Sequence, residues 1–361
     1  MSEPLATPLP PGARIGILGG GQLGRMLAMA AGKIGLSPAI LDPAPGAPAG
    51  QVAPLTVADW ADAEALARFA ASVDVVTYEF ENIPEAALDA IEAVAPLHPP
   101  RRALAVSQDR LVEKEFLASL GLSTAPFAPV DDAASLQAAL ERIGTPAILK
   151  SRRLGYDGKG QARLSGAEDA ASALEAMGGA PAILEGFVEF SCEISVIAAR
   201  GADGAVAAFD PGENRHEDGI LRRTRVPADI RPGLAADAVL LAGRILNALD
   251  YVGVLGVELF VTPAGLVVNE IAPRVHNSGH WTQAGCLVDQ FEQHIRAVAG
   301  WPLGDGTRHS DVEMENLIGD DMERVPRLLS EGADLHLYGK AQTRPGRKMG
   351  HVNRLIRHPG T

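Results

Sequence analysis

Residues 14–42 read RIGILGGGQLGRMLAMAAGKIGLSPAILD. Residues 14–18 form a short apolar strand and run into a turn carrying Gly19, Gly20, Gly21 and Gly24. A helical pattern over residues 23–31 follows, and residues 37–41 read as the next strand. Strand, glycine turn, helix and strand in this order make a βαβ unit, because a parallel pair needs a crossover of about a dozen residues or more. Outward from it, residues 63–71 read as a helix and residues 73–78 as a strand, so the alternation predicts a doubly wound parallel sheet. Pro96, Pro99 and Pro100 mark its end, and residues 103–120 read as one helical linker.

A small α+β block begins near Leu122, with strands over 147–150 and 182–185, a glycine-rich segment over 155–160 and a helix over 167–177. Residues 192–199 and 205–209 read as a hairpin turned at Asp203-Gly204. A third block starts near Asp210, with helices over 232–249 and 289–299 and strands over 254–261 and 266–271. The fold class expected is therefore α/β together with α+β.

A net charge of −13 argues against a nucleic-acid or acidic-membrane partner. Cys192 and Cys286 make neither a disulfide framework nor a metal spacing, which favours a reducing, cytoplasmic setting. No apolar run has membrane-spanning length and the first residues lack a signal-peptide core, so neither a span nor a leader is expected.

Residues 19–24 fit G-x-G-x-x-G after a strand and before a helix, with Asp42 ending the next strand. A dinucleotide, another phosphate ligand and a structural turn all remain compatible with it. Lys150 is the only charge of an apolar strand and precedes a glycine loop, an arrangement suited to a triphosphate or to an edge lysine at a hairpin tip.

Glu258 and Glu270 each interrupt an apolar strand. A three-residue loop, Pro263-Ala264-Gly265, would pair Thr262 with Leu266, Phe260 with Val268 and Glu258 with Glu270. The two carboxylates would then face each other at roughly 4.5–5.5 Å between Cβ atoms, which is destabilising unless a cation lies between them. With the Asn269 amide alongside, the all-oxygen donor set suits Mg2+, or Mn2+ in its place. A two-residue loop would shift this register, and two exposed glutamates are the plain alternative. The dense polar run Arg274, His276, Asn277, Ser278, His280 and Thr282 reads as a substrate loop. Lys340, Arg344, Arg347 and Lys348 read as a phosphate site or a solvated basic turn. The remaining Phe and Trp residues read as packing.

Taken together, GGGQLGRM (19–26), YEFENIP (78–84), GYDGKGQ (155–161), ENRHEDGIL (213–221), NEIAPRVHNSGHWT (269–282) and RPGRKMGH (344–351) resemble the N5-carboxyaminoimidazole ribonucleotide synthetase family of ATP-grasp ligases. The resemblance spans residues 14–353. It implies an ATP-grasp fold divided as 1–107, an N-terminal Rossmann-like substrate unit; 108–205, a linker helix and central lid; and 206–361, a C-terminal catalytic unit with a basic tail. It also implies a homodimer that takes ATP, bicarbonate and 5-aminoimidazole ribonucleotide as its small-molecule partners. ATP would be held by Arg110, Lys150, Tyr156, Asp157, Gly158, Lys159, Gly160, Gln161, Glu185, Gly186, Phe187, Val188, Glu193, His216, Asn269 and Glu270. Glu258, Asn269 and Glu270 would hold magnesium. Gln22, Leu23, Glu79, Asn277, Lys340, Arg347 and Lys348 would hold the ribonucleotide, so the N-terminal glycine loop would serve that ligand. Tyr156, Asp157, Arg274, His276 and Lys348 would stand at the reacting groups. The nearest competitor is a formate-dependent glycinamide ribonucleotide transformylase; an NAD-dependent oxidoreductase and a non-catalytic nucleotide sensor are more distant.

Overall fold

A computed structural model describes residues 7–155 and 160–356. The first sheet holds β1 (Arg14–Leu18), β2 (Ser37–Asp42), β3 (Leu55–Val57) and β4 (Val75–Tyr78) in the order β3-β2-β1-β4, all parallel. Its helices are α1 (Gln22–Lys33), α2 (Ala63–Ala70) and α3 (Glu85–Glu92). Covered on both faces, β1 buries Ile15, Ile17 and Leu18 completely, as a crossover-built sheet requires.

The expected single linker helix is two helices, α4 (Arg101–Ser107) and α5 (Arg110–Ser119). The break falls at Asp109, which is extended (φ −130°, ψ 113°) and caps α5 by accepting from Leu111 N at 3.0 Å. An aspartate at this position satisfies an orphan helix donor better than continued helix would use it.

The second sheet comprises β5 (Phe127–Val130), β6 (Ala147–Ser151), β7 (Gln161–Leu164) and β8 (Ala182–Gly186), ordered β5-β8-β6-β7 and antiparallel. With α6 (Ala133–Ile143) and α7 (Ala170–Ala176) it encloses a separate core around Leu136, Leu140, Leu149 and Leu184.

The third sheet has nine strands: β9 (Cys192–Arg200), β10 (Val206–Ala208), β11 (Gly212–Glu217), β12 (Ile220–Val226), β13 (Gly253–Thr262), β14 (Gly265–Ala272), β15 (Val312–Ile318), β16 (Asp334–Leu337) and β17 (Lys348–Leu355). Their order is β14-β13-β9-β11-β12-β15-β17-β16, with β10 on β9. Between them lie α8 (Pro232–Ala248), α9 (Thr282–Gly285), α10 (Gln290–Val298) and α11 (Val325–Ser330). The 205/206 division expected from the sequence falls inside the β9–β10 hairpin, both of whose strands belong to this sheet.

Ile15, Leu27 and Ile40 of the first sheet unit share one core with Val254, Phe291 and Ile295 of the third. Each fully buried side chain of this kind contributes about 1.5–3 kcal/mol, so the two units form one base while the second sheet unit rests on it with its own core. No helix among the described residues is long and apolar enough to cross a membrane.

Candidate active site

A cavity of about 1050 Å3 lies where the three sheet units meet, and the carboxylate hairpin forms its floor. The β13–β14 loop is Pro263-Ala264, two residues rather than three, with Thr262 paired to Gly265. Thr262 Oγ1 closes it, accepting from Ala264 N at 3.2 Å and donating to Gly265 O at 2.9 Å. The expected register is therefore off by one near the loop: Phe260 pairs with Val267 and Leu259 with Val268. A β-bulge then absorbs one extra residue, Asn269, and Glu258 faces Glu270 after all.

The two carboxylates open onto the cavity with side-chain exposures of 18% and 37%. Burial, followed by the facing Glu270, pushes Glu258 up to about 7. Burial alone would raise Glu270 too, but the Arg110 guanidinium, 2.8 Å from its Oε2, holds it down at about 2. Burial and Arg110, with the like charge between them, thus split the pair, leaving one partner charged and the other poised to lose its proton to a cation. The donors at this point are oxygens, which fits Mg2+ or Mn2+.

The polar run after β14 divides. Arg274, His276 and Asn277 line the cavity. Ser278, His280 and Thr282 do not: they are buried, and the substrate-loop expectation fails for them. Ser278 accepts from Ser195 (2.7 Å), Thr282 donates to Gly279 O (2.7 Å), and the His280 ring packs tilted against His351 with 4.6 Å between centroids. Their polarity satisfies buried partners in a chain segment that turns sharply under the site. Arg274 Nε pairs with Glu81 Oε1 at 2.8 Å. His276 Nδ1 lies 2.8 Å from Ser278 Oγ and Nε2 lies 3.3 Å from Glu258 Oε1. A Cβ on Gly256 would come 2.9 Å from His276 Cβ, so that glycine makes the room for the ring. Burial, then the positive charge of Arg274, lowers His276 to about 3. Asn277 and Asn316 exchange reciprocal amide bonds at 2.9 and 2.8 Å.

Above the floor, Lys150 and Gln161 reach the cavity from the second sheet. Tyr156, Asp157, Gly158 and Lys159 lie outside the described residues; Gly160, at φ +69°, resumes the chain. Glu185 turns away from the cavity: only 3% exposed, it takes Lys150 at 3.0 Å and Lys114 at 3.5 Å. Gly186 N donates to Pro126 O (2.8 Å) and Phe187 N to Pro146 O (3.1 Å), so these two hinge donors are engaged within the chain. The Phe187 ring packs under Arg163, and Val188 follows it half-buried. Glu193 and His216 face each other on β9 and β11 at 2.6 Å. Burial alone would lower His216, but Glu193 raises it.

The N-terminal glycine loop and the basic cluster also reach this cavity. Gly20 N donates to Asp42 Oδ2 and Gly21 N to Glu79 Oε1, both at 2.7 Å. Gln22, Leu23 and Glu79 line the cavity together with Lys340, Arg347 and Lys348. Burial raises the Glu79 carboxyl. Lys340 donates to Lys348 O (2.7 Å), and Arg347 to Gln342 O (2.9 Å). Gln51 ties the two chain ends together, accepting from Arg25 at 2.9 Å and donating to Gly339 O at 2.7 Å.

Sequence reasoning missed Glu81, Glu113, Lys114 and the aromatic wall of Phe190 on Phe260, whose rings stack at 4.6 Å. The Phe pair had been read as packing, yet both rings line the cavity. Glu113 and Lys114 carried a signal: with Arg110 they stand at i, i+3, i+4 on a helix that also buries Leu117.

Residues 13–108 match a family model described as a ribonucleotide synthetase preATP-grasp domain. Residues 115–291 match an ATP-grasp domain and residues 313–358 a phosphoribosylaminoimidazole carboxylase C-terminal domain. An N5-carboxyaminoimidazole ribonucleotide synthase of Brucella melitensis biotype 1 is 58% identical over 354 residues, covering 97% of this chain and 98% of the relative. The structure of a Staphylococcus aureus N5-carboxyaminoimidazole synthetase complexed with ADP superposes with TM-score 0.93 at 36% identity, covering 98% of this chain and 95% of that one. That of an Aspergillus clavatus N5-carboxyaminoimidazole synthase with ADP and 5-aminoimidazole ribonucleotide gives 0.89 at 31%, covering 96% and 94%.

Proposed function

The chain belongs to the N5-carboxyaminoimidazole ribonucleotide synthase family of ATP-grasp enzymes, and from that membership we propose how its cavity works. It is an ATP-dependent ligase that joins a carboxyl group from bicarbonate to the amine of 5-aminoimidazole ribonucleotide, releasing ADP and phosphate. The observation that carries the assignment is that one cavity collects both halves of the reaction. Lys150, Arg110 and the Glu258/Glu270 pair line it together with Gln22 and Leu23 of the glycine loop and with the basic cluster.

Bicarbonate is a poor electrophile, and transfer of the γ-phosphoryl group to it gives carboxyphosphate, which carries a good leaving group. The Lys150 ammonium neutralises charge as the phosphoryl group moves, and Arg110 holds Glu270 ionised. Glu258, Asn269 and Glu270 would hold Mg2+, which would supply Lewis-acid charge neutralisation at the phosphates. Arg274, fixed by Glu81, faces the bicarbonate end. The ribonucleotide amine then attacks carboxyphosphate or the CO2 it releases. His276, neutral and held at about 3, is a poor proton acceptor; its role is to orient oxygens through Nε2. Lys340, Arg347, Lys348 and Gln22 take the ribonucleotide phosphate. Closure of the second sheet unit over the cavity would keep water from carboxyphosphate.

The dimeric state, a cytoplasmic setting and the three-part division of the chain belong to the same reading. ADP release, measured with bicarbonate and with or without 5-aminoimidazole ribonucleotide, tests it. Turnover should require both; full activity with glycinamide ribonucleotide and formate would overturn it.

A further inference from the structure

β14 is an edge strand, so the side that β13 does not cover presents backbone groups with no sheet partner. Near its start this edge is covered by chain in strand-like fashion: Val268 N donates to Ser123 O at 2.8 Å, and Thr124 bridges Val268. At the bulge the cover changes to side chains of α5. Lys114 Nζ donates to Asn269 O at 2.6 Å, Arg110 Nη1 to Glu270 Oε2 at 2.8 Å, and Ile271 N donates to Glu113 Oε1 at 2.7 Å. Three residues on one helix face grip three consecutive residues of the strand.

We propose that Glu113 and Lys114 are positioning residues that, with Arg110, replace a missing neighbour strand and hold the β-bulge at Asn269, thereby setting the Glu258/Glu270 pair. The proposal rests on reading that pair as a divalent-cation site. A regular strand could not follow the bulge, since its groups repeat every two residues and the bulge inserts one more. Long side chains from a helix can. Lys114 is 1% and Glu113 2% exposed. Burying a lysine and a glutamate is costly unless each finds partners, and here they are Asn269 O in the bulge and Ile271 N just beyond it. The same lysine reaches Glu185 (3.5 Å), which holds Lys150, so the clamp also ties the carboxylate pair to the second sheet.

The test uses the full-length protein with saturating ADP and reads Mn2+ binding by titration. Amide hydrogen exchange over residues 266–272 is followed in parallel, with and without metal. Glu113→Ala removes the acceptor, Glu113→Gln keeps an acceptor oxygen, Lys114→Met removes the donor and Lys114→Arg keeps one. Glu113→Ala and Lys114→Met should each weaken Mn2+ binding about tenfold or more, as loss of a group that orients metal ligands does. Both should also speed exchange at the bulge. The two conservative variants should stay near wild type, and they carry the test should the others not fold. Wild-type exchange and Mn2+ affinity in Glu113→Ala and Lys114→Met would overturn the clamp. Failure of the wild type to bind Mn2+ would overturn the cation reading, and faster exchange in the variants would then still support the clamp.

Discussion

The glycine loop after β1 and the carboxylate hairpin β13–β14 both line one cavity, and they relate to their sequences in opposite ways. The loop matches a fingerprint residue for residue, yet its Gly20 and Gly21 donors are taken by Asp42 and Glu79. The hairpin departs from its expected loop length, yet a bulge returns Glu258 and Glu270 to face each other. A glycine motif specifies a backbone path and leaves its ligand open. Two like charges opposed on an apolar sheet are tolerated only for a reason, and that reason survives a register error.

Breaking the hairpin should have the larger effect. Glu258→Gln or Glu270→Gln should cut turnover by about 10²-fold or more, the scale of losing one group that stabilises a charged transition state, and should weaken magnesium dependence. Steady-state rates across a magnesium series check this; unchanged dependence in both variants would remove the pair from the metal site.

In the basic cluster, Arg347→Ala should raise the KM for the ribonucleotide about tenfold, because a charged hydrogen bond is worth roughly 1.5–3 kcal/mol. The KM for ATP should hold. The opposite pattern would assign the basic cluster to the nucleotide.

A third measurement sharpens the electrostatics of the hairpin. The Glu258 carboxyl rises on folding from 4.5 to about 7, so the folded chain binds more protons than the unfolded chain between those values. Its contribution to stability is therefore fully present below about 4.5 and is lost as pH rises through about 7. Glu270, held near 2, is ionised throughout this window. Cation binding at the pair competes with the Glu258 proton. The Mg2+-induced rise in Tm with ADP present should thus be larger at pH 8 than at pH 6, by on the order of 2 °C. Glu258→Gln should flatten that difference; a difference kept in full would place the titrating group elsewhere.

The legible parts of the molecule were those where one period dominates. β1, β2 and β4 are buried on both faces and read as apolar runs, and the β9–β10 hairpin announced itself through Asp203-Gly204. The β11–β12 hairpin went unnamed because its residues are charged on both faces, as strands bordering a polar cavity are. Its turn did carry a signal in Asp218-Gly219, both at positive φ. The split between α4 and α5 was hidden because Asp109 fits a helix period while acting as a cap, and it is drawn out by Arg152 at 2.7 Å, a contact 43 residues away. Likewise Ser278 and His280 read as functional because sequence shows polarity without burial. The site itself was legible at Glu258, Glu270 and Lys150, where a charge interrupts an apolar strand. It was not legible at Glu113 and Lys114, whose partners are backbone atoms of β14.

The smallest expected effect is no effect: NAD should not bind. The fingerprint works when glycine-loop N–H groups and a helix N-terminus meet a pyrophosphate, and when the acid at the end of the second strand meets a ribose hydroxyl. Here Asp42 Oδ2 accepts from Gly20 N at 2.7 Å and Oδ1 from Ala44 N at 2.7 Å, so the acid is consumed within the loop. Glu79 occupies the next donor and crowds the turn: a Cβ on Gly21 would lie 2.7 Å from its Oε1. A pyrophosphate would have to displace two carboxylates and then sit beside them, a like-charge contact that costs several kcal/mol. Titration calorimetry with NAD should show no binding up to millimolar concentration, while 5-aminoimidazole ribonucleotide, whose phosphate is proposed to meet the basic cluster, should bind. Micromolar NAD affinity would mean that Asp42 and Glu79 swing away from the loop. The glycine loop and the hairpin would then share one rule, a sequence motif that names its ligand.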